Sequence, residues 1–331
     1  MLIPRYWSRA ESTATTPAGK PMRFHVWRGS RSSAAEAQAL ADEAVQRMAE
    51  RIRRGEGFPE RYTYGDRPLR EEVVRELPAT PSSDVPDAAI TRNSYGALVL
   101  NAARAFFIDV DVERADGDGP ASPGSSSAFP GTNPAAAIKE LVDTLPIPGG
   151  VKSILGGLFG GGGGSARPST PTPPPTPTDP ASAALGRLRA WISAHPDWRV
   201  RVYRTHSGLR YLVTHAIFTP QDPQVQAAMT SLGADPQYVR LCQAQKSFRA
   251  RLTPKPWRVG MENPPVSFPY EGQAEEGAMR EWASRYDRAS QGRATCQLVE
   301  ELGSGTEHPE VAPLRALHDE HTRAASGLPL A

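Results

Sequence analysis

The sequence predicts an α+β protein: a mixed or antiparallel sheet with flanking helices, interrupted by a low-complexity insert. Three observations lead there. Some segments alternate apolar and polar residues as strands do, others repeat their apolar residues at helical spacing, and neighbouring strands are joined by short turns rather than crossover helices. A block rich in Gly, Pro, Ser and Thr then divides the chain.

In chain order, "MRFHVW" alternates like a strand and leads to Ser33 followed by Glu36, the spacing of a capping box. A helix over 34–54 is expected, with Leu40, Ala44, Met48 and Ile52 as its apolar stripe and Gly55 as its stop. "YGALVLN" and "RAFFIDVDV" read as two strands joined at Asn101-Ala102-Ala103 into a hairpin. The insert spans 116–180, with a Gly/Ser tract, a short helix-like "AAAIKELVDTL" and a Pro/Thr tract. Such tracts make flexible or extended spacers, not core. Residues 1–115 and 181–331 are therefore the two halves of one α+β domain.

After the insert, Leu185, Leu188, Trp191 and Ile192 mark a helix. "WRVRVYRT" and "LRYLVTHAIF" form a second hairpin with a two-residue turn at Ser207-Gly208, which sets Thr205 opposite Arg210 and Tyr203 opposite Leu212. Helices are expected near Val225–Leu232 and Pro236–Gln245. A strand "SFRARLTPK", a helix "EEGAMREWASRY", a strand "ATCQLVEE" and a last helix "PEVAPLRALHDEHTRAA" follow. His318 and His321 are read as residues of a solvated terminal helix.

Bulk composition excludes several classes. The chain has 331 residues with 38 basic and 36 acidic side chains, so no global polyelectrolyte partner is implied. Two cysteines, Cys242 and Cys296, without CxxC or Cys/His spacing, give neither a disulfide framework nor a zinc site and fit a reducing cytoplasm. Neither a secretory signal nor a membrane span is expected from the hydropathy pattern.

The informative stretch is "ARAFFIDVDVE", Ala103 to Glu113. Aspartate is depleted in strands, yet Asp109 and Asp111 stand one residue apart in a hydrophobic run. Alternation puts Phe106, Ile108, Val110 and Val112 on a core face and Phe107, Asp109, Asp111 and Glu113 on the other. The two carboxylates are then about 7 Å apart at the backbone. They are placed to converge on hard cations such as Mg²⁺ or Mn²⁺; a solvated acidic strand face is the alternative. The second hairpin's polar face carries Arg201, Tyr203, Thr205, Arg210 and Thr214. Thr205 and Arg210 suit a phosphate, since the arginine fork donates two parallel hydrogen bonds. Between Arg240 and Arg258 there are six basic residues and no acidic one, with Phe248 and Trp257 interleaved. Arg249, Arg251 and Lys255 are candidate contacts to a polyanion there, because basic plus aromatic is the composition of a nucleotide or single-strand groove.

The order of Asp109-x-Asp111 strand, helix, strand and "RTHSGLRYLV" resembles the catalytic core of the archaeo-eukaryotic primase superfamily, which includes bacterial primase-polymerases. The resemblance covers about a third of the chain. It implies that Asp109 and Asp111 are catalytic ligands of two divalent ions. It also implies that Ser207-Gly208-Leu209-Arg210 contacts the phosphates of a nucleoside triphosphate, with DNA or RNA as partner. Arg210 stands where that family has histidine. Neither Glu300 nor Glu301 makes a persuasive third carboxylate. The expected function is metal-dependent nucleotidyl transfer, the alternative a noncatalytic nucleic-acid or partner-binding module. A DxD phosphatase ranks below both, because Glu113 stands where those enzymes usually have Thr or Val.

If the insert is a solvated tether, deleting Gly117 to Thr178 leaves the melting temperature within a few degrees, since loop length costs stability only slowly. Loss of cooperative unfolding in that variant, followed by circular dichroism, would place the segment in the core.

Overall fold

The computed structural model describes residues 1–56, 68–77, 87–112 and 180–331. The remainder of the predicted insert lies outside the described residues. The class is α+β, with ten strands among the described residues: β1 Tyr6–Thr15, β2 Pro21–Ser30, β3 Glu72–Leu77, β4 Ala88–Arg92, β5 Leu98–Ala102, β6 Phe107–Asp111, β7 Val200–Thr205, β8 Gly208–Val213, β9 Phe248–Arg251 and β10 Cys296–Leu302. The helices are α1 Ala34–Arg53, α2 Pro180–Ala194, α3 Pro223–Leu232, α4 Pro236–Gln245, α5 Gln273–Ser290 and α6 Ala312–Thr322. Among the described residues no helix is long and apolar enough to cross a membrane.

Two four-stranded sheets, ordered β10-β7-β8-β6 and β3-β4-β5-β9, share one core, and β1 and β2 make a separate two-stranded ribbon. Every pairing of these strands is antiparallel. Leu100, Phe248 and Ala250 from one sheet belong to the same buried cluster as Ile108, Val202 and Tyr211 from the other, with Leu188 of α2 and Val225 of α3. α1 packs on the ribbon. Ser33 accepts the Glu36 N–H at 3.1 Å and caps the helix as its spacing predicts. The buried stripe, however, is Ala37, Ala41, Ala44, Val45, Ala49 and Ile52, while Leu40 is exposed. Small residues let α1 lie close to the ribbon, so the apolar face turns away from the bulkiest side chain.

The expected hairpin between "YGALVLN" and "RAFFIDVDV" does not form. β5 pairs with β4 and β9, while β6 pairs with β8 in the other sheet. The chain turns between them where the Ala103 amide donates to the Asp87 carbonyl at 2.7 Å and Arg104 pairs with Asp87. Phe106 then sits between the sheets, its ring centroid 4.9 Å from that of Phe248 and 5.4 Å from that of Phe218. Seating an aromatic side chain between two sheets outweighs the local tendency of adjacent strands to pair.

The β7–β8 hairpin forms, with its register two residues from the expected one: Tyr203 faces Arg210 and Arg204 faces Leu209, so the turn is wider than two residues. A shift of two preserves which side chains share a face, whereas a shift of one inverts them. Hence Arg201, Tyr203, Thr205 and Arg210 keep the common face read from the sequence. α6 also departs from expectation. Its His318 is fully buried rather than solvated, with its ring 5.1 Å from Phe107 and 4.8 Å from Tyr203.

Candidate functional site

The site is built on the edge of the sheet that carries β6. Asp109 faces Arg210 across the β6–β8 ladder, and Asp111 faces Gly208. A Cβ on Gly208 would stand 2.1 Å from the Val110 carbonyl oxygen, so glycine permits this close approach of the strands. Arg210 is 2% exposed. Its Nε donates to Asp109 Oδ1 at 2.7 Å and its Nη2 to Oδ2 at 3.0 Å, a bidentate pair. Its Nη1 donates to the Arg251 carbonyl of β9 at 2.8 Å, which ties the second sheet to the first. Burial works against the charge of Arg210, but the Asp109 charge and hydrogen bonds hold its pKa above that of a free arginine.

Behind Arg210 lies a buried polar chain. His318 Nε2 is 3.4 Å from Arg210 Nη1, and His318 Nδ1 is 3.1 Å from Asp319 Oδ1. Asp319 accepts from Tyr203 Oη at 2.7 Å and from Arg201 Nη2 at 2.8 Å. Burial lowers the His318 pKa to about 4, and Arg210 adds to this against the opposing Asp319, so the ring is neutral near pH 7. The sequence carries no signal for this role, because the groups that bury His318 and the guanidinium beside it, Phe107, Tyr203 and Arg210, come from other segments.

In front of Arg210 opens a polar cleft of about 80 Å³. Asp109, Asp111, Leu209 and Arg210 line it from the sheet, and Thr205 and Ser207 from the β7–β8 turn. Arg251 at the end of β9, with Lys255 and Arg258 after it, closes the other side. Thus Asp109, Asp111, Thr205, Ser207, Arg210, Arg251 and Lys255 meet in one place, although they come from three separate stretches of sequence. Arg258 joins them and donates to Ser207 Oγ at 2.8 Å; it was visible in the sequence only as one more member of the basic run.

Arg249 is elsewhere. Its guanidinium donates to both oxygens of Glu71, at 2.7 and 3.0 Å, and also bonds Asn101. This buried cluster, with Thr91 and Ser247, borders a separate cavity of about 10 Å³, roughly the room for one water. A counter-ion nearly 180 residues upstream cannot be inferred from the alternation of β9, so Arg249 reads in the sequence like its neighbour Arg251.

Among the described residues, the basic side chains that line the cleft outnumber the acidic ones. Burial, then Arg251 and Arg258, lower the Lys255 pKa from its ordinary 10.5 to about 8. Burial, then Asp235 and Asp109, raise the Asp111 pKa. Among the described residues neither Arg251 nor Lys255 is in an ion pair, and Arg251 Nε has no hydrogen-bond acceptor.

The donors fit a pair of divalent cations poorly. Both oxygens of Asp109 accept from Arg210, which puts a guanidinium where a cation would compete for them. Among the described residues no group of three His, Cys, Asp or Glu is arranged to hold a metal ion. Asp235 acts electrostatically on Asp111, but its carboxylate accepts the Gln237 N–H at 2.9 Å as the cap of α4. Glu300 and Glu301 pair with Arg189, Arg199 and Arg201 on β10, at the opposite edge of the sheet from β6. Glu113 lies outside the described residues.

The two aspartates are expected to respond oppositely to amide substitution. Asp109→Asn strands a buried guanidinium and is expected to destabilise by about 2–3 kcal/mol, somewhat less than the ~3–5 kcal/mol of breaking a fully buried pair. Asp111→Asn should stabilise. A carboxyl whose folded pKa is raised binds more protons folded than unfolded as pH climbs from its ordinary 3.8, so stability falls across that window and the cost persists at neutral pH. Denaturant unfolding at pH 7 checks both, and equal effects of the two substitutions would contradict the pairing.

No protein-family profile, no curated protein and no solved structure matches the chain.

Proposed function

We propose that the cleft binds the phosphates of a nucleotide without depending on a two-cation centre. The observation that carries this reading is the accumulation of Arg251, Lys255 and Arg258 around a cleft whose other arginine is already neutralised by Asp109. Three cations in a partly desolvated pocket repel one another: burial is the main cause of the lowered Lys255 pKa, and repulsion from Arg251 and Arg258 adds to it. An anionic ligand relieves it. Thr205 and Ser207 add hydroxyls that donate to phosphate oxygens, and the Arg251 and Arg258 guanidinium groups supply charge-assisted hydrogen bonds. The preferred ligand is a nucleoside triphosphate, which carries several negative charges in a short span. The resemblance of the Asp109-x-Asp111 strand and the Ser207–Arg210 hairpin to primase-polymerases points to the same ligand class. In this reading the Asp109–Arg210 pair is a fixed part of the wall, and the protein acts as a nucleotide- or nucleic-acid-binding module.

Metal-dependent nucleotidyl transfer with Mg²⁺ or Mn²⁺ is the second reading. It is favoured by Asp111, whose carboxylate lines the cleft beside the basic side chains.

Calorimetric titration with ATP in EDTA separates the two. Binding in EDTA that weakens with added salt is expected from phosphate contacts with Arg and Lys. Lys255→Ala and Arg251→Ala should each weaken it about 10-fold or more, the usual scale for a charge-assisted hydrogen bond. Arg249→Met should lower stability without changing affinity. Binding that appears only with Mn²⁺ would favour the second reading, and binding in neither condition would end both.

The pH dependence has a definite sign. Lys255 holds its proton below about pH 8, so affinity for ATP should decline as pH rises above that value. The ligand-free protein should show the opposite trend in stability. Its unfolded lysine binds more protons than the folded one between about 8 and 10.5, so stability rises with pH over that window. Unfolding and binding measured at pH 7 and pH 9.5 check both trends.

A further inference from the structure

We infer that Trp257 is the platform on which the base of the bound nucleotide stacks, so the site selects nucleobase-bearing phosphates over bare polyphosphate. The inference rests on the phosphate-binding reading given above. Trp257 lies between two cleft residues, Lys255 and Arg258, on a 3₁₀ turn over Pro256–Val259. It is one of few large apolar side chains left exposed, at 45%. Burying that surface against a ligand is favourable, and every base offers a π-face for it.

The ring is already held in position. Pro256 fixes the backbone at the start of the turn, and Tyr95 from the β4–β5 turn packs against the indole with centroids 5.5 Å apart and planes at 62°. A base stacking there meets a side chain with little rotamer freedom left to lose, which favours affinity. The Lys255 ammonium lies over the same ring, 5.3 Å from its centroid, while also lining the phosphate cleft. One residue therefore touches both the anion site and the aromatic platform, and the two adjoin closely enough for one ligand to reach both. Among the described residues the other exposed large apolar side chains are Tyr6, Leu40, Val74 and Val299, none of which adjoins in sequence a residue that lines the cleft.

The test compares ATP with inorganic tripolyphosphate, which share charge and differ in the nucleoside, on wild-type protein, Trp257→Ala and Trp257→Phe. The expected result is ATP binding about 10-fold tighter than tripolyphosphate to the wild type, within the range for one base–aromatic stack. Trp257→Ala should remove that margin while leaving tripolyphosphate affinity unchanged, and Trp257→Phe should keep most of it. Indole fluorescence should be quenched by ATP and not by tripolyphosphate, and the quench should be lost in both variants. Equal affinity of the wild type for the two ligands, or an ATP margin that survives Trp257→Ala, overturns the stacking role while leaving the phosphate site standing. Failure of the wild type to bind either ligand overturns the phosphate reading and the stacking role together. A melting temperature for Trp257→Ala close to wild type shows that lost affinity is not lost structure.

Discussion

A guanidinium taken out of water needs most of its donors satisfied and its charge met, and Arg210 satisfies this with groups from three other segments. Its counter-ion comes from β6, its carbonyl acceptor from β9, and the histidine beside it from α6. Each was brought there by a different part of the chain. The carboxylate and the carbonyl belong to different sheets, so the Arg210 side chain fixes how the ends of those sheets meet at the cleft. The gross cost of desolvating such a charge is several kcal/mol, which makes the geometry of these partners a requirement of the fold rather than an ornament of it.

The same pairing decides the chemistry of the cleft. With Asp109 committed to Arg210, the acidic wall expected from the sequence is reduced to Asp111, itself disfavoured as an anion by burial and by Asp235. The basic wall keeps Arg251, Lys255 and Arg258. In the reading proposed above, this balance favours an anion over a cation. A second buried arginine, Arg249, makes the contrast plain. Glu71 and Asn101 take up its donors in a closed pocket with room for little more than a water. Two arginines one residue apart on β9 thus differ in surroundings, because one meets a carboxylate and the other, among the described residues, does not.

His318 and Asp319 extend this logic away from the cleft. A neutral imidazole can sit beside a guanidinium without adding charge, and Asp319 offsets Arg201 while accepting from Tyr203. The polar chain gives the sheet face beneath the cleft a continuous set of partners, so the cleft wall is supported from behind.

Strand and helix periodicity in the sequence determined the α+β class, the cap at Ser33, the DxD strand, the β7–β8 hairpin and the basic run after β9, because these depend on neighbours within a few residues. It also determined that Asp109 and Asp111 share a face of one strand and that Thr205 and Arg210 share a face of the hairpin, since alternation survives a register shift of two. Tertiary structure alone decided that β5 and β6 belong to different sheets, because seating Phe106 between Phe218 and Phe248 is a long-range packing choice. It alone decided that His318 is buried, that Arg249 pairs with Glu71 and that Arg210 pairs with Asp109. Each of those outcomes depends on a partner between about 100 and 210 residues away, brought within hydrogen-bonding or packing distance by the closure of one core, and no local pattern of residues encodes such a distance.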